Sequence, residues 1–289
     1  MKRKLLAAIM TTAMAASLAA CGSSPAETSA ASTSPAASSA STSSSAASTS
    51  SSAEDVTGSM EGVTVKIGTS GLFGPFSYYD ADGTTLIGYD VDLLTDLQEI
   101  LGFEIDGGAI QAMDYSALTT SIAEGKLDLG AAALCATDER KQVMDFSETY
   151  CDSGQMVMIN SDNPQDITGV DSLAGKTVAV EKGTASHLYA EKNLSDATIE
   201  VHDTITTAYE SLEQQKVDAL IQDGPGCAFY IKTTTGTKLE TVGDEFNQGQ
   251  APYAIAYNKD FEYQDEFNAA LKMLADEGTL DELYATWCE

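Results

Sequence analysis

From residue 63 onward, short runs in which every second position is apolar alternate with longer runs in which apolar positions recur every three or four residues. These are the signatures of half-buried strands and of one-sided helices. Residues 63–67 read Val-Thr-Val-Lys-Ile and end in Gly68-Thr69-Ser70, a strand running into a turn. Residues 176–180 read Lys-Thr-Val-Ala-Val and reach Gly183-Thr184-Ala185-Ser186 two residues later. A second echo follows each strand: Tyr115 and Leu118 lead through a helical pattern to Lys126-Leu127-Asp128-Leu129, and Tyr209 and Leu212 lead to Lys216-Val217-Asp218-Ala219-Leu220. Two copies in the same order are too few for a solenoid, so the pattern predicts an α/β fold of two similar lobes. Strands alternating with helices further predict largely parallel sheets, with ligand bound beyond the carboxyl ends of the strands.

Between the first strand and its helix, residues 78–88 form a turn region; Val91, Leu94, Leu97 and Leu101 then mark one helix face, with Gly102 as its stop. Asp80-Ala81-Asp82-Gly83 reads as a hairpin turn. Its glycine comes too early for a calcium loop and no bidentate glutamate follows. At the far end, residues 266–274 and 279–287 read as two amphipathic helices broken at Gly278.

The first sixty residues follow a different rule. Lys2, Arg3 and Lys4 precede an apolar run over residues 5–20 that ends in Leu18-Ala19-Ala20 and Cys21, which reads as a signal peptide over residues 1–20 and is too short for a comfortable membrane span. The Leu-Ala-Ala-Cys stretch resembles a bacterial lipobox, which implies cleavage before Cys21 and lipidation of its thiol; the plainer alternative is a secretory signal with Cys21 incidental. Residues 21–59 are dominated by Ser, Ala and Thr and cannot bury enough apolar surface to offset chain entropy, so a disordered tether is expected, with an end-to-end distance of roughly 30–40 Å. The two lobes then divide as residues 60–152 plus 251–289 and residues 153–250.

Charge narrows the partners. Fifteen Lys and Arg against 44 Asp and Glu give a net charge of -29, which excludes nucleic acid and argues against adhesion to anionic lipid through a basic face. Any membrane connection would therefore run through Cys21. Cys135, Cys151, Cys227 and Cys288 permit two disulfides in an exported chain, by three possible pairings, or four free thiols. No Cys-x-x-Cys pair occurs, and His187 and His202 are the only histidines, so neither a zinc site nor another cofactor is expected.

Candidate chemistry lies at the predicted strand ends. After a buried strand over residues 127–134 comes Cys135-Ala136-Thr137-Asp138-Glu139-Arg140, with Thr137 a natural helix N-cap and Arg140 one turn in. Arg140 reads either as a clamp for a carboxylate, its planar fork matching two oxygens, or as a surface residue paired with Glu139 or Asp145. The strand over residues 217–221 ends at Gln222-Asp223-Gly224-Pro225-Gly226; Asp223 either accepts an ammonium group or caps the following helix. Residues 183–186 form either a nest that donates to a carboxylate or an ordinary capped helix. In Phe73-Gly74-Pro75-Phe76 the proline stiffens a loop able to present a ring, and Phe73 is the expected exposed one because Phe76 starts an alternating run. His187 beside Ser186 reads as a surface histidine, since adjacent helical residues diverge, and no nucleotide, metalloprotease or hydrolase motif is present.

With these residues in view, the chain from about residue 63 to 289 resembles the family 3 extracellular solute-binding proteins of polar amino-acid ABC importers. The markers are Gly88-Tyr89-Asp90-Val91-Asp92-Leu93, Thr137-Asp138-Glu139-Arg140 with Asp145-Phe146-Ser147 and Tyr150, Leu173-Ala174-Gly175-Lys176, and Gly278-Thr279-Leu280 with Trp287. The resemblance implies a periplasmic binding protein-like fold of type II, its lobes joined by crossing strands near residues 150–154 and 250–253. It implies Arg140 as the partner of an amino acid's α-carboxylate, helped by Thr137 or main chain near it and by Thr184, Asp223 as the partner of its α-ammonium, and Phe73 as the covering ring. Cys135 stands where the family usually has a hydroxyl residue, and Asp138 where it has a proline. The implied partners are an amino-acid ligand and a membrane permease, with the protein a monomer; a cyclohexadienyl dehydratase-like enzyme and a sensor that presents its closed form to a receptor are the alternatives.

Overall fold

The computed structural model describes residues 55–162, 165–250 and 252–289. The expected signal peptide, Cys21 and nearly all of the tether lie outside these residues. Residues 56–59, expected as the end of the tether, instead join the fold where the first lobe begins: Gly58 donates a backbone hydrogen bond to Ile100, as Met60 does to Leu101, and Met60 is fully buried. No helix among the described residues is long and apolar enough to cross a membrane.

Along the chain run β1 (Ile67–Thr69), α1 (Tyr89–Leu101), β2 (Gln111–Ala112), α2 (Tyr115–Ala123), β3 (Leu129–Gly130) and β4 (Asp145–Phe146). Then come β5 (Gln155–Asn160), β6 (Thr177–Glu181), α3 (Ala185–Asn193), β7 (Thr198–His202), α4 (Ile205–Glu213), β8 (Ala219–Asp223), α5 (Gly224–Thr233) and β9 (Leu239–Phe246). The chain finally returns through β10 (Ala256–Tyr257), α6 (Gln264–Glu277) and α7 (Thr279–Trp287). These strands make two five-stranded sheets, ordered β2-β1-β3-β10-β4 and β7-β6-β8-β5-β9.

The two sheets share one plan. In each, the first three strands are parallel and the fourth is antiparallel to both of its neighbours. The expectation of largely parallel sheets is corrected by that fourth strand. β5 arrives from the first lobe and β10 from the second, so each enters its sheet against the direction that the βαβ units set. Cys135, Cys151 and Tyr253 are bridged in antiparallel register where the chain passes between the lobes.

The repeated sequence units have identical local chemistry. Asp128 accepts the Lys66 N–H at 2.7 Å, and Asp218 accepts the Thr177 N–H at 2.8 Å, so each aspartate ties its βα unit to the neighbouring strand. Each helix before it ends in a left-handed residue, Gly125 at φ 70° and Gln215 at φ 53°. Elsewhere, Gly102 and Gly278 stop α1 and α6 at φ 80° and 85°, as their positions predict. Two expected strands are shorter than anticipated. The 63–67 segment breaks at Lys66 into Thr64–Val65, paired with Glu104–Ile105, and β1. In the 127–134 segment only Leu129–Gly130 pairs; the chain then bends at Ala133, φ 49°, where Asp90 accepts its N–H at 2.7 Å.

Leu93, Leu97 and Leu101 of α1 pack with Phe103, Phe267 and Leu271 in the first lobe, while Leu220, Ile205 and Leu212 on one face of the second sheet and Val178, Val180 and Ile221 on the other fill the second. The hairpin expected around Asp82 is present, its carboxylate accepting the Thr84 and Thr85 N–H groups at 2.7 and 2.8 Å. Aromatic rings span the lobe boundary: Trp287 meets Tyr78 edge to face at 6.3 Å, and Tyr78 meets Phe229 of α5 at 4.9 Å. Trp287 itself is fixed by a 2.8 Å bond from its indole N–H to Asp92.

Candidate functional site

The bend at Ala133 carries the chain out of β3 and over the cleft, where Arg140 opens a single 3-10 turn, Arg140–Gln142. An α-helix was expected there. Thr137 still serves as a cap, its hydroxyl accepting the Arg140 N–H at 3.3 Å. Arg140 is only 7% exposed, which removes the reading of a surface residue paired with Glu139 or Asp145. Its guanidinium donates to the Cys135 carbonyl at 2.7 Å and, across the cleft, to the Gly183 carbonyl at 2.8 Å, and it lies over the Tyr115 ring at 5.3 Å. Those bonds use two of its five N–H donors, so the fork can take up further oxygens.

Asp223 ends β8 on the opposite lobe. It occupies the N-cap position of α5 but makes no side-chain cap bond. Instead its carboxylate accepts the Tyr253 hydroxyl at 2.9 Å, and that hydroxyl also lies 3.0 Å from Ser153 Oγ. Burial pushes the Asp223 carboxyl up to about 6, opposed by Tyr253 and the Arg140 charge, so the group is still mostly ionised at neutral pH. Arg140 and Asp223 therefore lie on the two lobes, each within the other's field.

The remaining expected residues divide. Thr184 caps α3, its hydroxyl accepting from the His187 N–H and donating to the Glu181 carbonyl, so this side chain is already engaged. Cys135 is buried, with a thiol that burial pushes well above its ordinary range, leaving only a weak donor. Phe73 is not an exposed ring: it is 7% exposed, stacks on Phe76 at 5.6 Å, and presses against Gly226 of the other lobe, where an added Cβ would lie 2.3 Å from the ring. His187 is half-buried rather than on the surface, accepting the Gly183 N–H at 3.0 Å and so holding the turn that faces Arg140. All four thiols are free.

Several residues here were not anticipated from the sequence. Tyr253 comes from the returning strand and Tyr115 from α2. Ser186 Oγ, Gln155 Nε2 and Thr69 Oγ1 are buried without a hydrogen-bond partner among the described residues, although Ser186 and Gln155 lie close enough to Asp223 to favour its charged form. Glu181, the last residue of β6, is 6% exposed and its pKa is pushed up to about 8, chiefly by burial and then by Asp223 and Asp114, while the Ile205 N–H opposes the rise. Acid and hydroxyl residues at strand ends are the signal that could have found them, but only with the strand order in hand. Among the described residues no group of His, Cys, Asp and Glu could hold a metal ion.

Comparison with known proteins bears on the family and the fold. The model of the bacterial extracellular solute-binding proteins, family 3, matches residues 65–289. The arginine-binding extracellular protein ArtP of Bacillus subtilis is 30% identical over 223 residues, covering 76% of this chain and 84% of the relative. The L-cystine-binding protein TcyA of the same species is 28% identical over 223 residues, covering 77% and 80%. The crystal structure of the ancestral amino acid-binding protein AncCDT-1, a precursor of cyclohexadienyl dehydratase, superposes with a TM-score of 0.70 at 29% identity and covers 78% of this chain and 96% of that one.

Proposed function

The chain belongs to the bacterial extracellular solute-binding proteins of family 3, and from that premise we propose that it captures an amino acid between its lobes and delivers it to an ABC permease. The observation that carries this is a buried guanidinium with unused donors on one lobe and a half-buried carboxylate on the other, each within the other's field. Arg140 binds the ligand α-carboxylate and Asp223 the α-ammonium, so full binding energy is reached only when residues 60–152 plus 251–289 and residues 153–250 close on each other. Phe73 covers the ligand against Gly226. Cys135 and Thr137 hold Arg140 in place, through the carbonyl that its guanidinium bonds and the hydroxyl that accepts its N–H, and Thr184 caps α3 beside it. The relatives divide between arginine and cystine, so kinship leaves the ligand side chain open.

In the same reading, Cys21 carries a lipid that holds a monomeric protein on the outer face of the membrane. Arg140→Ala is expected to lower amino-acid affinity by about 2–5 kcal/mol, the cost of removing one member of a buried charge pair. Calorimetry on the purified protein checks it, and unchanged affinity in that variant removes the assignment.

A second reading, a dehydratase on this fold, draws on the proton that Glu181 holds at neutral pH, as a general acid requires. Acidic substrates of that kind would meet the carboxylates of Asp223 and Asp114 against one guanidinium, which disfavours it. Incubation of the purified protein with prephenate or arogenate decides the matter by product formation.

A further inference from the structure

Once a zwitterion is matched to Arg140 and Asp223, Glu181 is left over. It sits at the carboxyl end of β6, next to β8, whose last residue is Asp223; neighbouring strands lie about 4.8 Å apart, so the two carboxyls can flank one ligand. Asp223 from its own lobe and Asp114 from the start of α2 in the other lobe both bear on it, which places Glu181 at the boundary between lobes rather than inside one. Gln222, at the adjacent end of β8, is 3% exposed. Ser186 Oγ, nearby on α3, is buried without a partner among the described residues. Polar groups shut away from water in this number are suited to a ligand that supplies the missing bonds.

No cation among the described residues answers Glu181. His202 is its register partner on β7 but is held 3.0 Å from Glu200, and Lys182 is exposed and turned to Asp203. Arg140 is bonded to two carbonyls and faces the α-carboxylate. A buried, unpaired carboxylate is costly, so Glu181 either keeps a proton or gains a cation from the ligand. With Asp114 across the gap, the local field favours the second and repels an anionic side chain.

We propose that Glu181, assisted by Asp114, determines specificity by pairing with a cationic ligand side chain, such as that of L-arginine or L-lysine; this rests on the reading of Arg140 and Asp223 as the clamps for the two α-groups. Calorimetry with L-arginine, L-lysine, L-glutamine and L-cystine tests it on the wild type, Glu181→Gln, Asp114→Asn and Arg140→Ala. The wild type is expected to bind the two cationic amino acids most tightly. Glu181→Gln should weaken those two by about 30-fold or more while changing L-glutamine by no more than about 3-fold, as expected for loss of one buried charge pair. Asp114→Asn, at an exposed position, should weaken the cationic ligands by about 2- to 5-fold and keeps the test valid if Glu181→Gln does not fold. Equal or tighter binding of neutral amino acids by the wild type, or undiminished cation binding in Glu181→Gln, overturns the proposal; loss of all binding in Arg140→Ala would then still uphold the clamp. Failure of the wild type to bind any amino acid overturns both.

Discussion

Burial raises the pKa of Glu181 from an ordinary 4.5 to about 8, and those of Asp90 and Asp223 from 3.8 to about 6. A carboxyl with a raised folded-state pKa binds its proton more tightly in the native chain than in the unfolded one. Its stabilising contribution is therefore complete below the unfolded pKa and is lost as pH rises through the folded one. The ligand-free protein is expected to lose stability from about pH 4 to 8, and between pH 6 and 8 Glu181 dominates the carboxyl contribution, at about 1 kcal/mol per pH unit. Melting curves of wild type and Glu181→Gln across that window check this, and an equal slope in the variant would remove Glu181 as the cause. At this scale the sequence is a partial guide. Arg140 and Asp223 can be read from their places after predicted strands. Glu181, Ser186 and Tyr253 cannot, because an acid at the end of one strand becomes a site residue only when another strand end and the returning chain are placed beside it.

Helix α5 carries both its anchor and its closing surface on small residues. Gly226 is fully helical and lies under the Phe73 ring of the other lobe, so a methyl group there favours the helix by about 1 kcal/mol in isolation yet collides with the ring on closure. Gly226→Ala is therefore expected to weaken amino-acid binding by about 10-fold or more. A titration showing wild-type affinity would indicate that Phe73 does not need that space. Helices with a glycine stop, such as α1 at Gly102 and α6 at Gly278, follow directly from apolar spacing and backbone permissiveness. The 127–134 run misleads for a physical reason. Beyond Gly130 its apolar residues are buried by the approach of other segments rather than by pairing in a sheet, and period alone does not distinguish the two.

The whole molecule is one βα plan used twice, with a strand from each half sewn into the other's sheet. The repeated motifs around Asp128 and Asp218 reveal the duplication, while the exchange of β5 and β10 leaves no local trace, because antiparallel entry is a property of the path and not of any residue pattern. That exchange makes the passage between lobes short and places Tyr253 on it, bonded to Asp223. The chain of rings from Trp287 through Tyr78 to Phe229 has its own consequence. Trp287 is the single tryptophan of the protein and lies one ring, Tyr78, from the boundary between the lobes. Its intrinsic fluorescence should thus change in intensity or wavelength when an amino acid draws the lobes together and stay constant in Arg140→Ala, which would give the protein a label-free optical signal of ligand capture in a stopped-flow cell.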